Sequence, residues 1–244
     1  MSQTLLVLGA RSDIAQATAH EFAAGGFDVI LAARNAGSLE AVKSDLEIRH
    51  GVAAHLVEFD AADYASHAGF YAGLPAAPDV VLYAIGYLGE QSRAERNWSE
   101  AEQIISSNYT GAVSILSIAA NDLEARDTGT IIGIGSVAGD RGRQSIYIYG
   151  SAKSGLAVYL AGLRHRLAKT KVTVLTVKPG PVYTQMTEGM DLPKMLTAVP
   201  NQVGTAIFKA YKAKKHTIYV FPVWRLVMYV IRNLPEFVFV KTKL

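Results

Sequence analysis

Short apolar, β-branched runs recur along this chain, and each is separated from the next by enough residues for a helix. The runs at 4–8, 27–32, 52–59, 79–84, 129–135, 171–178 and 216–220 read as strands. Segments with helical periodicity lie at 13–25, 36–49, 61–73, 97–125, 146–169 and 201–213. Strands joined by connections of that length pair in parallel, and right-handed crossovers place the helices on both faces of the sheet. The expected fold class is α/β, with a doubly wound parallel sheet of about seven strands.

Such a sheet, of the Rossmann type, binds its ligand beyond the carboxyl ends of the strands, so residues just after each strand are the first candidates for function. No Pro/Gly/Ser-rich linker interrupts 1–180, and a single domain over 1–221 is expected, with 222–244 as a C-terminal tail that joins this domain or lies at an interface. Leu5-Leu6-Val7-Leu8 has no basic stretch before it and no cleavage site before Gly9, so it reads as a first strand and not as a signal peptide. The absence of Cys removes disulfides, thiolate catalysis and thiolate metal sites, and fits a reducing, cytoplasmic setting. His20, His50, His55, His67, His165 and His216 show no ligand spacing, so no metal is expected. No basic-aromatic motif points to nucleic acid. The segment 183–200, apolar and Met-rich without a strand pattern, reads as a flexible flap over the site.

The first strand ends at Gly9-Ala10-Arg11-Ser12-Asp13-Ile14-Ala15, which opens a helix. A pyrophosphate there would meet free backbone N–H groups and the positive end of the helix dipole. These residues also fit an ordinary strand-to-helix turn with Ser12 or Asp13 as N-cap. The second strand ends at Arg34, where a carboxylate would bind a ribose 2′-OH and an arginine accommodates a 2′-phosphate, so NADP(H) is the cofactor expected. Arg11 could supply a second positive charge. The alternative for both is a solvated surface arginine.

Tyr149 and Lys153 lie four residues apart at the start of a helix, so the phenol and ammonium share a face. A nearby ammonium stabilises phenolate and would draw the phenol below its ordinary value near 10. Upstream, the fifth strand ends at Ser136, whose hydroxyl can polarise a carbonyl oxygen. Asn108 sits mid-helix, an unfavourable place unless its amide finds a backbone or water partner.

Asn108, Ser136, Tyr149 and Lys153 match in order and spacing the Asn-Ser-Tyr-Lys tetrad of the short-chain dehydrogenase/reductase superfamily, which residues 4–185 resemble throughout. Lys178-Pro179-Gly180-Pro181-Val182-Tyr183-Thr184 is similar to the family's Pro-Gly segment, and Asp60 to its adenine-contacting Asp. The resemblance implies hydride transfer between nicotinamide and a ketone. Tyr149 would be the acid/base, Ser136 would orient the oxygen, Lys153 would hold the ribose and lower the phenol pKa, and Asn108 would support a water. It further implies cofactor contacts from Gly9, Arg11, Ser12, Asp13, Ile14, Arg34, Asp60, Ala61, Ala84, Ile85, Gly86, Tyr149, Lys153, Pro179, Gly180, Val182 and Thr184.

Two segments depart from the family pattern. Thr-Gly-x-x-x-Gly-x-Gly is here Leu8-Gly9-Ala10-Arg11-Ser12-Asp13-Ile14-Ala15, which places an anion near phosphate, and Asp13 is expected to cap the helix and point away. Asn-Asn-Ala-Gly is here Tyr83-Ala84-Ile85-Gly86. The Ser-Asp-Ile-Ala turn and the tail are similar to the branch containing the reductase half of the polyprenylphosphoryl-ribose 2′-epimerase, which implies a lipid-linked 2-keto sugar as substrate. A 3-oxoacyl-thioester reductase and a non-catalytic NADP-binding scaffold are the alternatives. A small-molecule or lipid-linked carbonyl substrate and a homo-dimer or homo-tetramer are the partners expected.

The tail carries its own signal. From 209 to 244 eight Lys and Arg face one Glu, a net of +7, which leaves −4 for the rest of a chain whose net charge is +3. The run 222–235 is bounded by Pro222 and Pro235. Arg225 and Arg232 share one face, and Val223, Trp224, Val227, Met228, Val230, Ile231 and Leu234 form a broad apolar surface. It is too short and too often interrupted to span a bilayer. It reads either as a peripheral contact at the inner face of the membrane or as a surface that packs on its own domain or another subunit.

Overall fold

The computed structural model describes residues 2–242; Lys243, counted in the charge of the tail, lies outside the described residues. The seven apolar runs form one sheet from β1 (Thr4–Leu8), β2 (Asp28–Ala33), β3 (Ala54–Glu58), β4 (Val80–Tyr83), β5 (Thr130–Ile134), β6 (Thr173–Lys178) and β7 (Thr217–Tyr219). Their spatial order is β3-β2-β1-β4-β5-β6-β7, and every pairing is parallel. Burial explains their sequence: β1 and β5 are buried at every position, so a continuous apolar run replaces the alternation of a half-exposed strand.

Helices cover both faces. On one side α1 (Asp13–Ala24), α2 (Glu40–His50) and α8 (Pro200–Lys212) enclose Phe22, Leu46, Val203 and Ile207 against the sheet. On the other, α6 (Gly111–Ala125) and α7 (Tyr147–Arg166) contribute Ile115, Leu116, Leu156 and Leu160. Full burial of each such side chain is worth about 1.5–3 kcal/mol before ordering costs. Helices α1 and α8 approach so closely that a Cβ on Gly204 would stand 2.7 Å from the Ala17 carbonyl.

The expected strands are all present, with ends that agree to within two residues. The helices differ more. Of 61–73 only α3 (His67–Ala72) is α-helical. Before it the backbone is spent in turns, with Ala62 N donating to Asp60 Oδ1 (2.9 Å) and Ser66 N to the Asp63 carbonyl (3.1 Å). The stretch 97–125 is not one regular helix: α5 (Trp98–Ile105) passes into α6 through a π-helical turn, Ser106–Thr110. The first turn of 36–49 is 3₁₀, and a short α4 (Gln91–Ala94) precedes α5.

The segment expected to be a flap is tied down at its base. Val182 bridges to Ala198, Tyr183 N donates to the Ala198 carbonyl (2.9 Å), and Ala198 N donates to the Pro181 carbonyl (3.0 Å). Beyond it, α9 (Pro222–Asn233) starts with Pro222 in its first turn and is followed by α10 (Glu236–Phe239). The apolar surface read as one face of the tail is divided between two surroundings. Trp224, Met228 and Ile231 are buried with Val137, and Val227 packs beside them; Val223 and Val230 remain exposed, next to Leu226 and Tyr229. Packing on its own domain thus accounts for the bulkiest part of that face. Among the described residues no helix is long and apolar enough to cross a membrane.

Candidate active site

Strand order reverses between β1 and β4, and a cavity of about 1060 Å³ opens there, at the carboxyl ends of the strands. Its walls include Gly9, Arg11, Ser12, Asp13, Ile14, Arg34, Asp60, Ala61, Ala84, Ile85, Gly86, Ser136, Tyr149, Lys153, Pro179, Gly180, Val182 and Thr184. The structure thus gathers every sequence-derived candidate except Asn108, which lies one layer behind.

At one end the turn after β1 needs glycine. Gly9 has φ +90°, and a Cβ on it would lie 2.6 Å from the Ile85 side chain and 3.0 Å from Ile85 N. Helix α1 then begins, and Ser12, its N-cap, makes no side-chain capping bond. The first N–H groups of α1 therefore have no intrahelical or cap acceptor and face the cavity end. Asp13 does not cap α1 as expected. Its Oδ2 accepts from Gln185 N (2.9 Å), so the carboxylate is drawn towards the flap. A short acid one residue inside the helix reaches outward more easily than back over its own first turn.

Arg34 and Arg11 are exposed along the same wall. The turn that follows Arg34 is held by Glu58, whose carboxylate accepts from Asn35 N (2.7 Å) and Ala36 N (3.0 Å) while Asn35 takes a left-handed conformation at φ 55°. Those backbone bonds keep the Glu58 carboxyl below its ordinary value. The sequence reading missed Glu58; a carboxylate ending β3 beside the end of β2 is the signal that could have found it.

At the other end Ser136 follows β5 in extended backbone, and its Oγ accepts from Ala138 N (3.1 Å). Ser136 is near enough to the Tyr149 hydroxyl to favour its ionised form. Lys153 is buried on the same face of α7, with Nζ 5.8 Å from the centre of the Tyr149 ring and donating to the Ile134 carbonyl (3.0 Å). Burial pushes the Lys153 ammonium down to about 7. The expectation that Lys153 draws the phenol below its usual value is not met. Burial raises Tyr149 to about 12, and the nearby Ser136 side chain opposes this only in part. A lysine so desolvated is a weak source of positive potential for its neighbour.

Asn108 has the backbone partners that a mid-helix Asn requires. Its Nδ2 donates to the carbonyls of Tyr87 (2.6 Å) and Ile104 (2.8 Å), the second exposed by the π turn. The Tyr83 hydroxyl, where the family pattern has Asn, donates to the Ser107 carbonyl (2.7 Å) and braces that turn. Asn108 Oδ1 is buried and unbonded, and a Cβ on Gly86 would lie 3.2 Å from it and 3.4 Å from Lys153 Nζ. Gly86 thus leaves a gap beside two polar atoms, the kind of cradle a ribose with its hydroxyls would fill.

Fold and site together define a doubly wound α/β domain with a ligand cavity at the strands' carboxyl ends. Residues 3–194 match the short-chain dehydrogenase family. The chain is 36% identical over 237 residues to an uncharacterized oxidoreductase of Mycobacterium tuberculosis, covering 96% of this chain and 94% of that one. An NADP-dependent 3-hydroxy acid dehydrogenase of Schizosaccharomyces pombe is 30% identical over 188 residues, 75% and 73% of the two chains. A short-chain dehydrogenase from Sphingobium yanoikuyae in complex with NADPH superposes with a TM-score of 0.83 at 22% identity, covering 96% and 97%. The chain belongs to the short-chain dehydrogenase/reductase family and is an oxidoreductase of that family.

Burial of Lys153 has a pH signature. Below about 7 its side chain is charged in folded and unfolded protein alike, and the burial penalty is fully present; from about 7 to the ordinary value of 10.5 only the unfolded chain holds the proton. Stability therefore rises with pH across that window. Urea unfolding of the cofactor-free protein should show the wild type gaining on Lys153→Met between about pH 7 and about pH 9.5. A difference that stays flat or shrinks would mean that Lys153 titrates in its ordinary range.

Proposed function

We propose that the protein is an NADP(H)-dependent carbonyl reductase in which Tyr149 gives its proton to the substrate oxygen. The observation that carries this reading is the convergence of Ser136, Tyr149 and Lys153 beside the cradle at Gly86. NADP(H), when bound, supplies the hydride. Gly9 and the open N–H groups of α1 bind its pyrophosphate, Arg11 and Arg34 its 2′-phosphate, and Asp60 its adenine end. Pro179, Gly180, Val182 and Thr184 hold the nicotinamide end. The named relatives and neighbours that take NADP(H) support this choice.

Ser136 accepts one backbone N–H, and its hydroxyl orients and polarises the carbonyl oxygen. Tyr149, kept neutral by burial, is loaded as an acid at neutral pH, which favours reduction of a ketone over oxidation of an alcohol. Lys153 holds the ribose hydroxyls at the cradle, and it regains its charge and its influence on the phenol as polar groups fill that space. Asn108 Oδ1 accepts from a water that connects Lys153 to solvent.

The remaining exposed strip of α9, with Leu226, Tyr229 and Val230 beside Arg225 and Arg232, supports peripheral contact with an anionic membrane in a cytoplasmic protein. A lipid-linked 2-keto sugar would be delivered there, and a 3-oxoacyl thioester is the second substrate class. Homodimers or homotetramers are the assembly proposed. The wild type should co-sediment with vesicles containing phosphatidylglycerol, and Leu226→Glu/Val230→Glu should not. Equal recovery of both in the supernatant would remove the membrane contact.

Tyr149→Phe should lower kcat for ketone reduction by about 10² or more, within the usual range for loss of a general acid, while NADPH binding followed by fluorescence stays near wild type. An active Phe variant would overturn the mechanism. Arg34→Asp should weaken NADPH and shift preference towards NADH by about tenfold or more, through loss of a charge-assisted phosphate contact. Equal wild-type kcat/KM for NADPH and NADH would contradict the assignment of Arg34.

A further inference from the structure

The segment joining the Ser136 turn to α7 carries two arginines with different surroundings. Arg141 is fully used. It donates to the carbonyls of Ile231 (2.6 Å) and Leu234 (2.7 Å), pairs with Glu236 (2.8 Å), and lies 3.8 Å over the ring of Phe239. It thereby fastens the carboxyl end of α9, where the helix dipole favours a cation.

Arg143, two residues on, has no such role. Its Nε is buried without a hydrogen-bond partner, and among the described residues its guanidinium makes no ion pair. Asp140, the acid whose charge reaches it, is already paired with Lys178 and accepts the Tyr219 hydroxyl (2.6 Å). Desolvation pushes the Arg143 guanidinium below its ordinary range, although its five donors remain charged at any physiological pH. A partly buried cation without a partner is costly to keep, and an anion brought to it recovers that cost.

Its position says which anion. Arg143 lines the same cavity as Ser136, Ile146 and Tyr149, the reacting end, whereas Arg11 and Arg34 line the wall beyond β1 and β2. The phosphates of a dinucleotide are provided for at that far wall. Met186, Met190, Leu192 and Trp224 add apolar and sulfur surface to the lining of the same cavity. Trp224 is fixed there by donating Nε1 to the Leu196 carbonyl (3.1 Å).

We infer that Arg143 is a specificity-determining residue which binds an oxyanion carried by the carbonyl substrate, with the apolar remainder of that substrate against Trp224 and the methionines. This rests on the carbonyl-reductase reading. The guanidinium fork suits a carboxylate or a phosphodiester, so an oxo acid and a phosphate-linked keto sugar meet the same chemistry.

The test compares matched pairs that differ in charge: acetoacetate against ethyl acetoacetate, and a methyl-phosphodiester-linked 2-keto sugar against the neutral methyl glycoside. Each is measured by calorimetric titration of the cofactor-free and NADP-loaded protein, and by steady-state KM. In the wild type, one charged member should bind about tenfold or more tightly than its neutral partner, as expected for a charge-assisted hydrogen bond in a water-poor site. The pair that shows the gap identifies the source of the oxyanion. Arg143→Met should erase the gap, mainly in KM, and Arg143→Lys should restore part of it. Unchanged NADPH binding and melting temperature in both variants would separate this from damage to the fold or the cofactor site. A wild type indifferent to charge in both pairs, an Arg143→Met variant that keeps the preference, or one that loses NADPH affinity instead would each overturn the inference. Should the wild type oxidise NADPH with none of the ketones, the hydride-transfer reading fails, and the titrations still judge Arg143 by themselves.

Discussion

Lys153 reaches from the second turn of α7 to the carbonyl of Ile134, the last residue of β5, and this contact joins the helix that carries Tyr149 to the strand that leads into Ser136. Both side chains are placed relative to each other through that one bond and the packing of Leu156 and Leu160 behind it. Gly139 and Gly150 allow the connection to be tight. A Cβ on Gly139 would lie 2.7 Å from Ser154 N, and one on Gly150 would lie 2.9 Å from the Ala138 carbonyl. Burial of Lys153 follows from the same geometry, so its proton affinity and the position of the site have a common cause.

The places where the chain departs from its family's pattern are compensated by contacts between neighbouring strand ends. Gly9 gives up the space into which Ile85 fits, and β1 and β4 stay paired in parallel although the later glycines are lost. Tyr83 exchanges a polar amide for a phenol that reaches the Ser107 carbonyl and supports the π turn. Asp13, which near phosphate would repel, is engaged by the Gln185 amide. Each change keeps the backbone course while redistributing polar partners, and a motif scored residue by residue would count all three only as losses.

Much of this was legible in the sequence because parallel strands buried on both faces leave an unmistakable record of continuous apolar runs. The rule that ligands lie beyond the strands' carboxyl ends then turned that record into a site. Arg34 and Ser136 could be read in this way, and Asp60 and Pro179 through the family resemblance. Less legible was anything decided by tertiary polar contacts. The breaking of the 61–73 helix depends on Asp60 Oδ1 meeting Ala62 N, and the π turn depends on Asn108 and Tyr83 finding particular carbonyls. Neither leaves a period in the sequence. The phenol of Tyr149 was misjudged for a related reason: the spacing revealed the ammonium nearby but not that the ammonium is itself buried.

The tail shows how one amphipathic pattern can serve two surroundings. Helix α9 spends Trp224, Met228 and Ile231 on the protein, and through Trp224 it supports both the flap at Leu196 and the wall of the cavity. A Cβ on Gly180 would stand 2.1 Å from Trp224 Nε1, so the Pro-Gly segment after β6 and the tail have to be built together. Arg141 completes the arrangement by tying the end of α9 to the loop that follows Ser136. That part of the cavity wall is therefore assembled from three distant stretches of chain, and Arg143, on the loop that follows Ser136, lines the same cavity with its Nε unpartnered. The positive charges along the cavity are divided accordingly: Arg11 and Arg34 follow β1 and β2, Arg143 follows the Ser136 turn, and burial pushes Lys153 between them down to about 7.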